Sequence, residues 1–162
     1  MKEKFIKAHM KAAESYAELS SAKRLQVGCV IVKDNTVIGI GYNGMPSGWD
    51  NNCEDVEYVL KEECQSTDEW MVQNGFSETA HGWSRLKTKS EALHAESNCL
   101  AKVSRSTNSS ESASLFVTHA PCLECAKMIY QAGIKEVYYR TSYRSEDGVN
   151  FLKKCEIEVV QV

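Results

Sequence analysis

The sequence predicts an α/β protein built around a mixed five-stranded sheet with helices on both faces. Near the N-terminus, two apolar β-branched runs are joined by a two-residue polar turn, which is typical of an antiparallel hairpin. From about residue 91 onward, strand-like and helix-like segments alternate, which is typical of parallel strands joined by crossover helices. The hairpin therefore supplies the antiparallel part of the sheet, and the alternating region supplies the parallel part.

The first third of the chain is expected to form one helix and the hairpin. Residues 2–20 carry apolar side chains at helical spacing, which predicts an amphipathic helix. The runs 26–33 and 36–42 are the two strands, and the dipeptide 34–35 is their turn. Residues 43–52 are rich in Gly, Asn and Pro, so they are expected to form a loop.

The remaining elements follow a polar insertion. Residues 53–91, with scattered aromatic side chains, are interpreted as an insertion containing one or two short helices, and 104–114 as a flexible, serine-rich surface turn. Pro121 is expected to open a helix that Gly133 closes. The alternating elements are predicted to be a helix over about 91–103, a strand over 115–119, a helix over about 122–132, a strand over 135–140, a helix over 146–155 and a strand over 156–162.

Composition places limits on the function. The 162 residues, 43% of them apolar, predict a single domain, 1–162, with one sizeable core. The 19 Lys and Arg against 22 Asp and Glu give a net charge of -3, so no nucleic-acid partner is expected. No apolar run has the length of a membrane span, and no secretory signal is recognised. Seven cysteines without an export signal predict free thiols in a reducing compartment such as the cytoplasm.

Two short motifs predict a metal site. His94 and Glu96 are separated by one residue, and Pro121 precedes Cys122 and Cys125 in a C-x-x-C spacing. Both motifs lie at predicted helix starts, where unpaired N–H groups and partial positive charge stabilise thiolates. The H-x-E…P-C-x-x-C pattern is the signature of zinc deaminases.

The donor types fit a catalytic zinc ion. Zinc prefers imidazole and thiolate ligands in tetrahedral geometry, and His94, Cys122 and Cys125 supply three of the four. A water molecule in the fourth position would ionise far more readily, with a pKa near about 7. The alternative is a structural zinc with a fourth protein ligand, for which His119 is a candidate by its position in the sequence.

Glu96 adds acid–base chemistry to this site. A carboxylate beside zinc-bound water can take its proton and deliver it elsewhere, which contributes roughly 10²–10⁴-fold in rate. Such a site would hydrate an electron-poor C=N carbon and expel ammonia, as at cytosine C4 or adenine C6. A structural site or a non-catalytic scaffold has no use for Glu96.

Four segments together resemble the deoxycytidylate (dCMP) deaminase family of the cytidine deaminase superfamily. They are VGCVIV at 27–32, GIGYNGMPSG at 39–48, HAESN at 94–98 and HAPCLECAKMIYQAGIKEVYY at 119–139. The resemblance implies a three-layer α/β/α sandwich, one catalytic Zn²⁺ per subunit, and conversion of dCMP to dUMP for thymidylate synthesis. It also implies a homohexamer that dCTP activates together with Mg²⁺ and dTTP inhibits.

The resemblance also implies roles for individual residues. His94, Cys122 and Cys125 match the metal ligands, and Glu96 matches the proton shuttle. Asn43 matches an asparagine that hydrogen-bonds the sugar hydroxyl; the alternative interpretation is a turn residue that tolerates a left-handed conformation. The carbonyl group of Ala120 would accept a hydrogen bond from the exocyclic amine.

Further matches are open to simpler interpretations. Arg105 matches an arginine that reaches the substrate phosphate or a neighbouring subunit's site, and Tyr143 a tyrosine that packs on the pyrimidine or its phosphate. Arg105 could instead be a solvated helix end, and Tyr143 an ordinary half-buried aromatic residue. The residues that match the effector site are Gly44, Met45, Pro46, Ser47 and Gly48, joined by Lys23 and Arg24 as charges for a triphosphate.

One departure from the family and one rival function remain. Some phage members hold a second, structural zinc with a cysteine that SSAKRL at 20–25 lacks, which leaves Cys53, Cys64 and His81 as candidate ligands without tight spacing.

The rival function is deamination of tRNA or single-stranded DNA, which usually needs a basic channel and base-stacking groups. The net charge of -3 argues against that function.

Overall fold

The structure, a computed structural model, describes residues 1–162. The chain forms five helices and eight strands. In chain order they are α1 (Glu3–Ala17), β1 (Gly28–Lys33), β2 (Thr36–Tyr42), β3 (Glu54–Leu60), α2 (Asp68–Gln73), β4 (Ser77–Thr79), β5 (Gly82–Thr88), α3 (Ala95–Ser104), β6 (Ser114–His119), α4 (Leu123–Gln131), β7 (Glu136–Thr141), α5 (Asp147–Lys154) and β8 (Glu158–Gln161). None of the five helices combines the length and apolarity that crossing a bilayer requires.

Five strands form the main sheet in the order β2-β1-β6-β7-β8. β1 pairs antiparallel with both β2 and β6, whereas β6, β7 and β8 run parallel. Asp34 and Asn35 close the hairpin with φ angles of 48° and 62°, the left-handed conformation that a two-residue type I′ turn requires. The predicted mixed five-stranded sheet is therefore confirmed.

The alternation of side chains along β1 separates two helical layers. Val30 and Val32 pack with α1 on one face of the sheet. Cys29 and Ile31 point to the opposite face, where they join the larger core cluster formed with α3, α4 and α5. Helices therefore cover both faces, which confirms the three-layer α/β/α sandwich.

Residues 53–91 form a second, three-stranded antiparallel sheet in the order β3-β5-β4. The short helix α2 packs on one face of this sheet through a small cluster of Met71, Phe76 and Trp83. The prediction of one or two short helices anticipated α2 but not the sheet. Glu57 and Arg85 form an ion pair on the face that carries α2, whereas the opposite face of β3 presents Val56, Tyr58 and Leu60 to solvent. The strands therefore lack the alternation of buried apolar and exposed polar residues that predicts a half-buried strand.

The third helix begins later than its apolar spacing predicts. It starts at Ala95 instead of about residue 91, and His94 occupies its N-cap. Leu93 is held outside the helix because its backbone exchanges two hydrogen bonds with Gly44, of 2.8 and 3.1 Å. This pairing fastens the loop that follows β2 beside His94.

Candidate active site

Two helix N-termini meet at one edge of the main sheet and carry the predicted ligands. His94 and Cys122 are the N-cap residues of α3 and α4, and neither side chain caps its own helix. Glu96 and Cys125 lie in the first turns of the same two helices. The positive ends of both helix dipoles therefore point at a group of side chains that is free to bind a cation through ionised sulfur.

The three predicted ligands form one group. His94 Nδ1 lies 3.3 Å from Cys125 Sγ and 3.6 Å from Cys122 Sγ. Tetrahedral zinc with ordinary Zn–N and Zn–S bonds places nitrogen and sulfur about 3.5 Å apart, so the donor set fits this ion. His119 is not a member of the group, whose ligand atoms lie within 4.8 Å of one another. The protein thus supplies three ligands and not four.

The two sulfurs of this group shift each other's pKa in opposite directions. The hydrogen bond from the Cys125 thiol, with a second from His94, lowers the pKa of Cys122 to about 3. The same bond to Cys122, together with burial, raises the pKa of Cys125, and the bond to Cys122 also raises the pKa of His94. The lowered pKa favours the thiolate at Cys122, and binding of a divalent cation would release the proton of Cys125.

Glu96 is a buried carboxyl group beside these ligands. Its side chain lies in the wall of the adjoining cavity although the residue is only 5% exposed. Burial raises the pKa of Glu96, with the helix backbone and His94 acting in the opposite direction. A carboxyl group with a raised pKa can both accept and donate a proton near neutral pH, which is what a proton shuttle requires.

A cavity of about 370 Å³, here called the catalytic cavity, opens onto His94, Glu96 and Cys122. This volume lies within the range of small-molecule sites. The structure also brings several other predicted residues to its wall. These are Asn43, Ala120, Tyr143 and Arg24.

The Asn43 side chain, just after β2, is hydrogen-bonded to the segment that precedes β1. Its Oδ1 accepts a hydrogen bond of 2.8 Å from the Val27 N–H, and its Nδ2 donates one of 2.8 Å to the Leu25 carbonyl oxygen. An amide oxygen can accept twice and an amide nitrogen can donate twice, so each group has one position left. The predicted contact with a sugar hydroxyl is compatible with this geometry and stays a prediction.

Several predicted residues do not reach the catalytic cavity of their own chain. Arg105 is the C-cap of α3, at the end opposite His94, and is separated from it by about 15 Å of helix. Lys23 is absent from the cavity wall, as is the loop 44–48. The loop nevertheless lies close in the fold, through the pairing of Gly44 with Leu93.

The cavity wall also contains His119, which the sequence analysis considered only as a fourth zinc ligand, and two residues that it did not single out, Arg144 and Glu54. His119 is a neutral wall residue, because burial lowers its pKa. Arg144 places a cation beside the predicted Tyr143, and its position next to that residue was a usable signal. Glu54 gave no signal, since it is one of three acidic residues at the start of β3.

Glu54 connects the insertion to the segment before the hairpin. Its Oε1 accepts hydrogen bonds from the backbone N–H groups of Lys23 and Arg24, at 2.9 and 3.1 Å. The residue is only 3% exposed, and its Oε2 has no hydrogen-bond partner. Glu54 therefore fixes the backbone from which Arg24 reaches the cavity.

The candidates for a second zinc are not brought together. Cys53 Sγ lies 3.4 Å from Ser21 Oγ, and Cys64 Sγ lies 3.4 Å from the Ser66 carbonyl oxygen. His81 forms no metal-binding group with either of them. All seven cysteines are free thiols.

Known proteins resemble this chain in sequence and fold. The sequence model of the family described as "Cytidine and deoxycytidylate deaminase zinc-binding region" matches residues 3–141. Deoxycytidylate deaminase of Enterobacteria phage T4 is 34% identical over 156 residues, which cover 85% of this chain and 79% of that protein. The Saccharomyces cerevisiae deoxycytidylate deaminase is 35% identical over 153 residues, covering 94% of this chain and 43% of the yeast protein.

A solved structure extends the comparison to the whole chain. The dCMP deaminase of cyanophage S-TIM5, crystallised with dCMP and dUMP, superposes with a TM-score of 0.78 at 36% identity. The match covers 100% of this chain and 99% of the cyanophage chain.

Proposed function

The chain belongs to the cytidine and deoxycytidylate deaminase family, and from this premise we propose that it is a zinc-dependent hydrolase that converts dCMP and water into dUMP and ammonia. The observation that carries the proposal is the group of three ligand atoms, with no fourth protein ligand, beside the buried carboxyl group of Glu96. The similarity to a cyanophage protein crystallised with dCMP and dUMP supports the choice of substrate.

The residues of the chain divide the chemistry between them. Zinc held by His94 and the two cysteines would supply a Lewis acid that makes water nucleophilic near neutral pH. Glu96 takes one proton from the attacking water and gives it to the pyrimidine ring nitrogen; it then takes the second proton from the hydroxyl group formed at C4 and gives it to the amine, which leaves as ammonia while the C4 carbonyl group forms. The Ala120 carbonyl group, at the cavity wall, accepts a hydrogen bond from that amine.

The remaining cavity residues are proposed to hold the nucleotide. Asn43 has one free acceptor and one free donor position for the sugar hydroxyl. Tyr143 packs against the pyrimidine or its phosphate, and the guanidinium group of Arg144 is the cation at the wall that suits the 5′-phosphate.

We further propose that the enzyme is a regulated homohexamer in the cytoplasm, or the host cytoplasm if the source is viral, supplying dUMP for thymidylate synthesis. dCTP with Mg²⁺ would activate it and dTTP would inhibit it through Lys23, Arg24 and the loop 44–48. The pairing of Gly44 with Leu93 supports this role, because it links the loop to the residue before His94. Free thiols at all seven cysteines are typical of a reducing compartment.

A direct assay tests the activity. Purified protein is mixed with dCMP, deoxycytidine, CMP or a cytosine-containing single-stranded oligonucleotide, and loss of cytosine ultraviolet absorbance is followed. We expect turnover of dCMP, with much lower rates for the other three. Deamination of the oligonucleotide but not of dCMP would replace this proposal with the polynucleotide function.

A further inference from the structure

His119 is the last residue of β6, the central strand of the main sheet. Leu115 and Val117 of this strand belong to the core cluster on the face that α3 and α4 cover. Because side chains alternate along a strand, His119 lies on the same face, at the level of the helix starts. Its side chain is therefore part of the wall of the catalytic cavity, which also contains Glu96 and Cys122.

Hydrogen bonds at this edge of the sheet determine which nitrogen of His119 carries the proton. The Gly28 N–H donates to Thr118 Oγ1 at 3.2 Å, and the same oxygen lies 3.2 Å from His119 Nδ1. Thr118 is only 6% exposed, and His119 Nδ1 is the acceptor available to its hydroxyl proton. The hydroxyl group therefore donates to Nδ1, which leaves the proton of the neutral imidazole on Nε2.

The Nε2–H group of His119 has no hydrogen-bond partner in the chain. The contact with Thr118 occupies Nδ1, and Nε2 points away from that residue. Burial lowers the pKa of His119, so the ring is a neutral donor near pH 7. A donor in the wall of a small-molecule cavity is satisfied by an acceptor on the ligand or by a water molecule.

The proposed function, on which this step rests, indicates which part of the nucleotide lies against Nε2. Glu96 serves the ring nitrogen N3 and the Ala120 carbonyl group serves the amine on C4, so C5 is the neighbour of C4 on the side away from Glu96. His119 directly precedes Ala120, and β6 lies between β2, which leads to Asn43, and β7, which leads to Arg144. A nucleotide with its sugar at Asn43 and its phosphate at Arg144 presents its C5 edge to His119.

We propose that His119 determines specificity at C5 of the pyrimidine, because its Nε2–H group favours a C5 substituent that accepts a hydrogen bond over one that is apolar. With hydrogen at C5, a water molecule occupies the space beside Nε2. A hydroxymethyl group replaces that water with its own oxygen, whereas a methyl group displaces the water and leaves the donor unpaired. An unpaired buried donor weakens binding by about tenfold.

The ratio of kcat/KM for 5-hydroxymethyl-dCMP to that for 5-methyl-dCMP tests this selection. We expect a ratio about tenfold higher in the wild type than in His119→Leu, which has a side chain of similar size without a donor. The ratio is compared between variants, so the intrinsic reactivities of the two nucleotides cancel, as does any general loss of activity. A structural role alone would lower both values of kcat/KM together and leave the ratio unchanged.

Two further variants complete the set. His119→Gln keeps an N–H donor at a similar reach and should restore part of the ratio. The matched control is His81→Leu, an exposed histidine outside the cavity wall, which should keep the wild-type ratio.

The position of the proton is measured without any turnover. Long-range ¹H–¹⁵N spectra of zinc-loaded protein with labelled histidine distinguish a protonated ring nitrogen from an unprotonated one. The chain has four histidines, so the signal missing in His119→Leu identifies this ring. We expect the proton on Nε2 in the wild type and in Thr118→Ser. Thr118→Val, which lacks the hydroxyl donor, should shift the proton toward Nδ1 and lower the substrate ratio.

Two results would overturn the proposal. One is a wild-type ring that carries its proton on Nδ1, and the other is a substrate ratio that His119→Leu does not change. A protein that turns over none of the three nucleotides would contradict the proposed function and, with it, the selection at C5. The spectra would then still decide whether Thr118 holds the proton of His119 on Nε2.

Discussion

At the scale of single residues, the position of a side chain on its helix decides its role. His94 and Cys122 are N-cap residues, where a side chain projects beyond the first turn and can bind a ligand instead of packing. Glu96, two residues into the same turn, is buried beside them. This separates the groups that can hold the cation from the group that moves the proton.

Exchange of Glu96 for glutamine should therefore separate metal binding from turnover. We expect Glu96→Gln to keep one zinc per chain and to lose about 10²–10⁴-fold in kcat, the usual contribution of a positioned proton-transfer group. Zinc content by elemental analysis and steady-state rates with dCMP are the two measurements. Loss of zinc together with activity would instead make Glu96 a part of the metal-binding set.

Residues of the site differ in how far the sequence could predict them. His94, Cys122 and Cys125 are brought together by two local motifs at helix starts, so their spacing was sufficient. Glu54 reaches the cavity only because a polar insertion packs against the segment before the hairpin. That contact joins residues about thirty positions apart, so it produces no periodic pattern of hydrophobicity in the sequence.

At the scale of elements, the layer under α1 depends on an aromatic pair in the main sheet. The rings of Phe116 on β6 and Tyr138 on β7 are stacked with centroids 4.7 Å apart. The hydroxyl group of Tyr138 donates a hydrogen bond of 3.3 Å to Glu136 Oε2. Burial, with the nearby Glu136 as the next cause, raises the pKa of Tyr138 to about 12.

This raised pKa predicts how stability depends on alkaline pH. A group whose pKa is higher in the folded state stabilises the protein below its unfolded pKa of about 10 and loses that contribution as pH rises toward the folded value. Between pH 10 and 12 the wild type should therefore lose stability more steeply than Tyr138→Phe. At pH 7 the variant should be less stable by about 1 kcal/mol, through the lost hydrogen bond.

Urea unfolding at several pH values measures this difference. The exposed Tyr58→Phe, on β3, is the control and should follow the wild type. Parallel pH profiles for wild type and Tyr138→Phe would show that the hydroxyl group of Tyr138 is not held in its neutral form by the fold.

At the scale of the whole molecule, the sheet and its layers could be predicted and the insertion could not. The apolar runs of β1, β2, β6 and β7 are β-branched or aromatic and bounded by clear turns, so their existence followed from local patterns. β3 and β5 are held by cross-strand pairs such as Glu57 with Arg85, and the apolar side chains of Val56, Tyr58 and Leu60 on β3 are exposed. Their pairing is long-range, and hydrophobic periodicity does not report it.

Because Arg105 does not reach the catalytic cavity of its own chain, its role can be tested in mixed oligomers. If Arg105 serves a neighbouring subunit, Arg105→Ala and Glu96→Gln are each poorly active alone, but mixed oligomers contain sites with both residues intact. Activity should therefore rise several-fold when the two variants are dissociated, mixed and reassembled. No gain on mixing, with subunit exchange confirmed by native mass spectrometry, would assign Arg105 to its own chain or to no site.

Regulation is also a property of the assembly. A two-state oligomer predicts a sigmoidal dependence of rate on dCMP that dCTP makes less sigmoidal and dTTP more so. Initial rates across a range of dCMP concentrations measure it. A hyperbolic curve that neither nucleotide changes would remove the proposed regulation and leave the catalytic proposal standing.

The coordination of zinc tests the central claim most directly. X-ray absorption at the zinc edge, on purified active protein, counts the atoms bound to the metal and their distances. We predict two sulfurs at about 2.3 Å and two lighter atoms at about 2.0–2.1 Å, of which only the His94 nitrogen comes from the protein. Loss of one sulfur in Cys125→Ala should confirm the assignment. A zinc ion with three or four sulfurs, or active protein without zinc, would contradict this account.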